Sequence, residues 1–100
     1  MTKYEIKREW AGKSASECYQ AGIRAVQSAG YTVIKKRDIA SLVICQALVH
    51  GSRVDLNLMV PLVKPTSVVL NLGSEQADQA ALKVEADRVL GILANVLDPG

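Results

Sequence analysis

Apolar and polar residues are patterned most clearly in the middle of the chain, at residues 39–60. Residues 39–49 form an almost unbroken apolar run rich in β-branched side chains, and residues 54–60 alternate strictly between apolar and other residues. These patterns predict two β-strands joined as a hairpin. Because glycine at the first central position of a two-residue loop suits a type II′ turn, we expect the chain to reverse at Gly51 and Ser52.

The predicted turn would fix how the two strands pair. With Val49 opposite Val54, one face of the hairpin is wholly apolar and is predicted to face the core. A shift of one residue would instead bury Asp55 and Asn57 without evident partners, which supports this choice of face. The opposite face mixes polar and apolar side chains, and it holds the candidate functional residues.

Three further segments have the pattern of strands. Residues 3–10 alternate charged residues with a mostly apolar series, residues 31–34 contain β-branched residues after a tyrosine, and residues 67–72 alternate again. Prolines at 61 and 65 lack the N–H that an interior strand needs. We therefore expect residues 61–65 to be an edge or a connection.

Two amphipathic helices are predicted, over about residues 15–29 and 75–97. Each has apolar residues on one side at helical spacing. Ser14 followed by Glu17 has the form of a capping box, and Ser74 is predicted to cap the second helix. Both helices can therefore cover the apolar face of a sheet.

These elements predict an α+β two-layer sandwich with the order β-α-β-β-β-α. We expect a mostly antiparallel four-stranded sheet with both helices on one face. A chain of 100 residues forms one domain, residues 1–100, and buries roughly 60–70% of the surface that its unfolded form exposes. No second domain or linker is expected.

Composition narrows the class of protein. Lys and Arg number 12 against 10 Asp and Glu, so the net charge of +2 implies no strong field for nucleic acid or an anionic membrane. No apolar run approaches the ~20 residues of a membrane span, and the charged N-terminus differs from a secretory signal. We expect a cytoplasmic protein in which Cys18 and Cys45 are reduced packing residues, with no metal, disulfide or cofactor.

The segments AGYTV at 29–33 and VDLNLMVPLVKPTSVVLNLGS at 54–74, with the order of elements, are similar to a small bacterial family of uncharacterised, often lipid-anchored proteins. In that family a helix ending in a Leu-Gly-Tyr-like turn leads into a three-stranded meander and a final helix. The resemblance implies the same fold here. This sequence lacks the family's lipid-attachment signal at its start, and the family supplies no catalytic residues.

The leading functional hypothesis concerns apolar residues on the face opposite the core. A contiguous apolar patch of more than a few hundred Å² usually marks an interface. We therefore expect a non-enzymatic domain that forms a homodimer, or binds a protein or an apolar ligand, through this face. The candidate interface residues are Leu42, Ile44, Leu48, Met59 and Val69.

A polar site on the same face is the alternative. The predicted pairing places Asp55 diagonally across from His50, so the carboxylate could orient the imidazole for acid–base chemistry while Arg53 holds an anion. An ordinary solvated sheet face is the simpler interpretation, and no residue is assigned as catalytic or metal-binding. The candidate polar residues are Gln46, His50, Arg53, Asp55 and Asn57.

A basic cluster suggests a third class of function. Lys35, Lys36 and Arg37 are consecutive, and they could bind phosphates together with more distant basic residues. Those residues are Lys7, Arg8 and Lys13. Because aromatic side chains suited to stacking are not interleaved with this cluster, nucleic-acid binding is the weaker hypothesis.

Overall fold

The structure is a computed structural model that describes residues 1–99. Its elements are β1 (Thr2–Glu9), α1 (Ala15–Ser28), β2 (Thr32–Arg37), β3 (Leu42–Val49), β4 (Ser52–Met59), β5 (Ser67–Ser74) and α2 (Gln79–Leu97). A single 3-10 turn, Asp38–Ala40, joins β2 to β3. No helix within the described residues is long and apolar enough to cross a membrane.

The five strands form one antiparallel sheet in the order β1-β5-β4-β3-β2. The α+β class is confirmed, but the predicted four strands and the order β-α-β-β-β-α are wrong, because each segment with a strand pattern forms its own strand. β1 and β2 lie at opposite edges, so the connection through α1 crosses the sheet. Residues 61–65 are a connection between β4 and β5.

The β3–β4 turn lies one residue earlier than predicted. Val49 pairs with Ser52, so His50 and Gly51 are the central turn residues, both with positive φ, 51° and 81°. Positive φ at both central positions is typical of a type I′ turn, whose twist matches that of the strands. The pairing therefore shifts by two residues, and because side chains alternate with a period of two, the predicted faces are retained.

Both helices pack on the apolar face of the sheet, which we call the inner face. Leu56, Leu58, Leu70, Leu90 and Leu93 are fully buried there. α1 approaches closely at Gly22, where an added Cβ would lie 2.8 Å from Leu58 Cδ2. Cys18 and Cys45 are both buried in the core, as predicted.

The first predicted helix cap is confirmed and the second is wrong. The Ser14 hydroxyl accepts from the Glu17 N–H at 3.0 Å, and a Glu17 carboxylate oxygen accepts from the Ser14 N–H at 3.1 Å. Asp78, not Ser74, caps α2 by accepting from the Ala81 N–H at 2.8 Å. Ser74 instead ends β5, where its hydroxyl donates to the Arg53 carbonyl at 2.7 Å.

Candidate functional site: the outer face of the sheet

The face of the sheet opposite the helices, called the outer face, is covered by no element within residues 1–99. Its side chains form transverse rows, because directly paired residues of neighbouring strands project on the same side. From β1 to β2, one row is Lys7, Val69, Met59, Leu42 and Arg37. The next is Glu5, Asn71, Asn57, Ile44 and Lys35.

Four of the five predicted interface residues lie together. Val69, Met59 and Leu42 are consecutive in the first row, and Ile44 lies beside Leu42 in the second. All four side chains are half-buried although neither described helix covers them, because they shield one another. We call Leu42, Ile44, Met59 and Val69 the outer apolar patch.

The fifth predicted interface residue, Leu48, lies apart from the patch. It pairs with Arg53 near the β3–β4 turn, and its side chain is 78% exposed. Gln46 and Asp55 form the pair between Leu48 and the row that contains Ile44. Leu48 therefore lies on the outer face, as predicted, but it is separated from the outer apolar patch by the Gln46–Asp55 pair.

The predicted polar residues form a chain rather than a catalytic pair. Asp55 lies opposite Gln46, with Asn57 in the adjacent row, and the Arg53 guanidinium reaches Asp55 through a 3.2 Å contact between Nε and Oδ1. The Arg53 backbone N–H also donates to the Gln76 side chain at 3.0 Å. Arg53 is therefore already engaged by an acid and is a poor free anion site.

His50 does not join this polar chain. It occupies the turn, and three residue pairs separate the turn from the Gln46–Asp55 pair, so it does not have the predicted diagonal relation to Asp55. It is exposed to solvent at the tip of the hairpin. The geometry assumed for acid–base chemistry at His50 and Asp55 is therefore wrong.

A shallow polar depression lies on the outer face where Gly73 leaves a gap between Lys3 and Asp55. Its volume is about 310 Å³, and its lining also includes Asn57, Asn71, Leu72 and Met1. An ammonium group, a carboxylate and two amides could hydrogen-bond a small polar molecule there. Within residues 1–99 no group of three acidic, histidine or cysteine side chains is arranged to hold a metal ion.

The inner face contains a buried polar cluster that the sequence analysis missed. Glu85 of α2 is only 4% exposed, and it accepts from the Tyr31 hydroxyl at 2.6 Å. Arg88 donates to both Glu85 carboxylate oxygens, at 2.9 and 2.7 Å, and to the Ala29 carbonyl at 2.9 Å. The cluster thus joins α2 to the chain between α1 and β2.

The cluster fixes the charge states of its members. Burial raises the pKa of Glu85, but hydrogen bonds from Arg88 and Tyr31 and the positive charges of Arg88 and His50 outweigh burial, so its pKa is lowered overall. Burial, with the hydrogen bond to Glu85 and its negative charge, raises the pKa of Tyr31. Because a charged Glu85 and a neutral Tyr31 satisfy each other, the cluster is structural. Glu85 and Arg88, three positions apart on α2, were the only signal of it in the sequence.

Comparisons with known proteins bear on the fold and not on the chemistry of the site. No protein-family model and no curated protein matches this chain. Among solved structures the chain is similar to the protein TTHA0849 from Thermus thermophilus, with a TM-score of 0.60 and 11% sequence identity. The similarity covers 95% of this chain and 96% of that one. At this identity the likeness shows the fold alone.

Proposed function

We propose that this protein is a non-enzymatic binding domain that self-associates through the outer apolar patch. The observation that carries the proposal is the continuity of Val69, Met59 and Leu42 along one row, with Ile44 beside them, on a face that no described element covers. Clustered apolar surface of this kind gains free energy when a second surface excludes water from it. A second copy of the chain is the occupant that the row favours.

The row is symmetric about β4, which suits a two-fold dimer. Its order is a cation, Val69, Met59, Leu42 and a cation. In a two-fold interface the same patch serves both subunits. An axis parallel to β4 would place Val69 over the partner's Leu42 and Met59 over its own copy.

The adjacent row supports the same arrangement. The same axis would place Glu5 of β1 opposite the partner's Lys35 on β2, because the two strands are at opposite edges. Opposite charges at an interface rim fix orientation more than they add affinity. Lys7 would face the partner's Arg37, but at the rim this repulsion is screened by solvent.

Sedimentation velocity across a range of concentrations tests the proposal. We expect the wild type to change from monomer to dimer with concentration, and Met59→Lys to weaken dimerisation by about a hundredfold, because two ammonium groups would meet at the axis. Leu48→Lys is the matched control: it adds the same charge to the same face outside the patch, and it is expected to dimerise normally.

The other functions considered give different results in the same experiment. A wild type that stays monomeric at every concentration would contradict self-association. If that wild type then binds an apolar fluorophore and Met59→Lys does not, the patch would be a site for an apolar ligand. An anion site at Arg53 would appear as a rise in thermal stability on addition of phosphate. That rise would be abolished in Arg53→Ala, and the sedimenting mass would be unchanged. Equal dimerisation by Met59→Lys and wild type would place the interface elsewhere.

A further inference from the structure

Three connections meet at one end of the sheet, which we call the loop end. They are residues 10–14 after β1, residues 38–41 before β3, and residues 60–66 before β5. Antiparallel pairing of β1 with β5, β5 with β4, β4 with β3 and β3 with β2 brings these connections together. The opposite end carries the β3–β4 turn.

The loop end exposes large aliphatic side chains. Ile39 in the 3-10 turn is 97% exposed, and Leu62 and Val63 in the β4–β5 connection are 75% and 59% exposed. Removing such side chains from water is favourable, in proportion to the apolar area that is buried. None of that free energy is gained by Ile39 within the described chain.

The 3-10 turn that carries Ile39 is held in place by two hydrogen bonds. The Tyr19 hydroxyl donates to Asp38 at 2.8 Å and fixes the 3-10 turn against α1. The Val60 N–H donates to the Ser41 carbonyl at 2.9 Å, which joins the two connections. Ile39 therefore projects from a braced turn.

Basic side chains surround the exposed aliphatic residues. Lys35, Lys36 and Arg37 lie at the end of β2, next to the 3-10 turn, and Lys64 follows Val63. Lys7 and Arg8 lie at the matching end of β1. Among residues 1–99 none of these six cations forms an ion pair, whereas Lys13 is paired with Asp98 at 3.1 Å. The acidic residues at the same end are Glu9 and Asp38, so six cations leave a local excess of positive charge that the small net charge of the chain conceals.

We infer that the loop end docks on the surface of an anionic lipid bilayer. Exposed aliphatic side chains can enter the acyl boundary while neighbouring cations contact anionic headgroups, the combination that gives peripheral proteins their membrane affinity. The loop end is a projection, so it suits a deformable surface better than a peptide, which needs a groove. Nucleic acid would use the cations but not Ile39, Leu62 or Val63.

Trp10 provides a built-in reporter. It is the only tryptophan, and its backbone N–H donates to the Thr66 carbonyl at 2.8 Å, so it adjoins the β4–β5 connection. The test titrates the full chain with phosphatidylcholine vesicles with or without phosphatidylserine as a minor component, and follows Trp10 emission and co-sedimentation. We expect a blue shift and co-sedimentation with the anionic vesicles that fall steeply with salt.

Two sets of variants separate the apolar and the charged contributions. Ile39→Ser with Leu62→Ser is expected to weaken binding at least about tenfold, since two aliphatic side chains would no longer leave water. Lys35→Gln, Lys36→Gln and Arg37→Gln together are expected to weaken it about a hundredfold, since each cation near an anionic surface contributes about fivefold. Each set has a control that removes exposed residues of the same kind elsewhere on the protein. The apolar control is Leu48→Ser with Val84→Ser, and the charge control is Arg24→Gln with Lys83→Gln.

Several outcomes would overturn the inference. No co-sedimentation at low salt, equal binding to neutral vesicles, or equal loss in the control variants would each contradict docking by this end. Retention of the protein by single-stranded DNA but not by anionic vesicles would assign the cations to nucleic acid. Dimer mass is expected to be unchanged in Ile39→Ser with Leu62→Ser, so failure of this inference and failure of self-association are separate results.

Discussion

An arginine–carboxylate pair lies on each side of the sheet, one on α2 over the inner face and one on β4 at the outer face, and the two pairs differ in geometry and in the burial of the carboxylate. On the inner side Arg88 binds both oxygens of Glu85, whose side chain is almost wholly buried. On the outer face Arg53 makes one 3.2 Å contact with Asp55, and the side chains of Arg53 and Asp55 are 65% and 40% exposed. The same residue types therefore build the fold on one face and leave the other face available for binding.

The two pairs differ in their expected contribution to stability because water reaches them to different extents. Removing one member of a buried pair strands a desolvated polar group, whereas an exposed pair is screened and contributes about 0–1 kcal/mol. We therefore expect the inner pair to contribute more to the free energy of folding than the outer pair. The outer face can change with little effect on folding, as expected of a surface that binds a partner.

Removing the buried carboxylate is expected to have the largest effect. Glu85→Ala should lower the free energy of unfolding by about 3 kcal/mol, because the Tyr31 hydroxyl loses its acceptor and Arg88 loses a bidentate partner. Urea denaturation followed by circular dichroism measures the change. Asp55→Ala is the matched control on the outer face, and a loss as large as that of Glu85→Ala would remove the distinction between the faces.

Two helical glycines should respond with opposite signs. Gly22→Ala is expected to destabilise by about 1–2 kcal/mol, because the new methyl group would meet the buried Leu58 side chain at 2.8 Å. Gly91→Ala is expected to stabilise by about 0.5–1 kcal/mol, because a Cβ there meets no atom of the described chain within 4 Å and alanine favours the helix. Thermal unfolding of both variants checks this. Stabilisation by Gly22→Ala would contradict the close packing of α1.

Acid should weaken the inner cluster selectively. The pKa of Glu85 is lower in the folded protein than in an unfolded chain, so its stabilising effect is complete above its unfolded pKa of about 4.3 and is lost as pH falls through the folded value. The stability difference between wild type and Glu85→Gln should therefore shrink below about pH 4. Urea denaturation at a series of pH values measures it. A difference that grows toward low pH would contradict this charge state.

The exposed pair should give the smallest effect. Arg53→Ala is expected to change the free energy of unfolding by less than about 0.5 kcal/mol, because the pair is screened by water. The variant keeps the backbone N–H that donates to Gln76. Chemical denaturation of Arg53→Ala beside Asp55→Ala measures the change, and a loss above about 1 kcal/mol would show that the outer face also carries folding energy.

The sequence predicted the faces of the hairpin better than its turn. Alternation has a period of two, so Leu56 and Leu58 point inward whether Val49 pairs with Ser52 or with Val54. The turn was misplaced because glycine was expected at the first central position, whereas His50 takes the positive φ there and Gly51 follows it. Asp78 displaced Ser74 as a cap because Ser74 is needed at the end of β5.

The candidate site was partly predictable for the same reason. Alternation identified Leu42, Ile44, Met59 and Val69 as outward-facing, but only the strand order shows that they adjoin one another. Glu85 was missed because the hydrogen bond that it accepts from the Tyr31 hydroxyl joins residues far apart in the chain. The loop end was missed for a related reason: Ile39 and Leu62 come to the same end only after the sheet forms.

The weight-average mass of the protein as a function of concentration tests the central claim most directly. If the outer apolar patch is an interface, the mass should rise from that of one chain, 10.8 kDa, towards twice that value, and Met59→Lys should stay near one chain while folding as stably as the wild type. A wild-type mass that remains at one chain up to the highest concentration would contradict it.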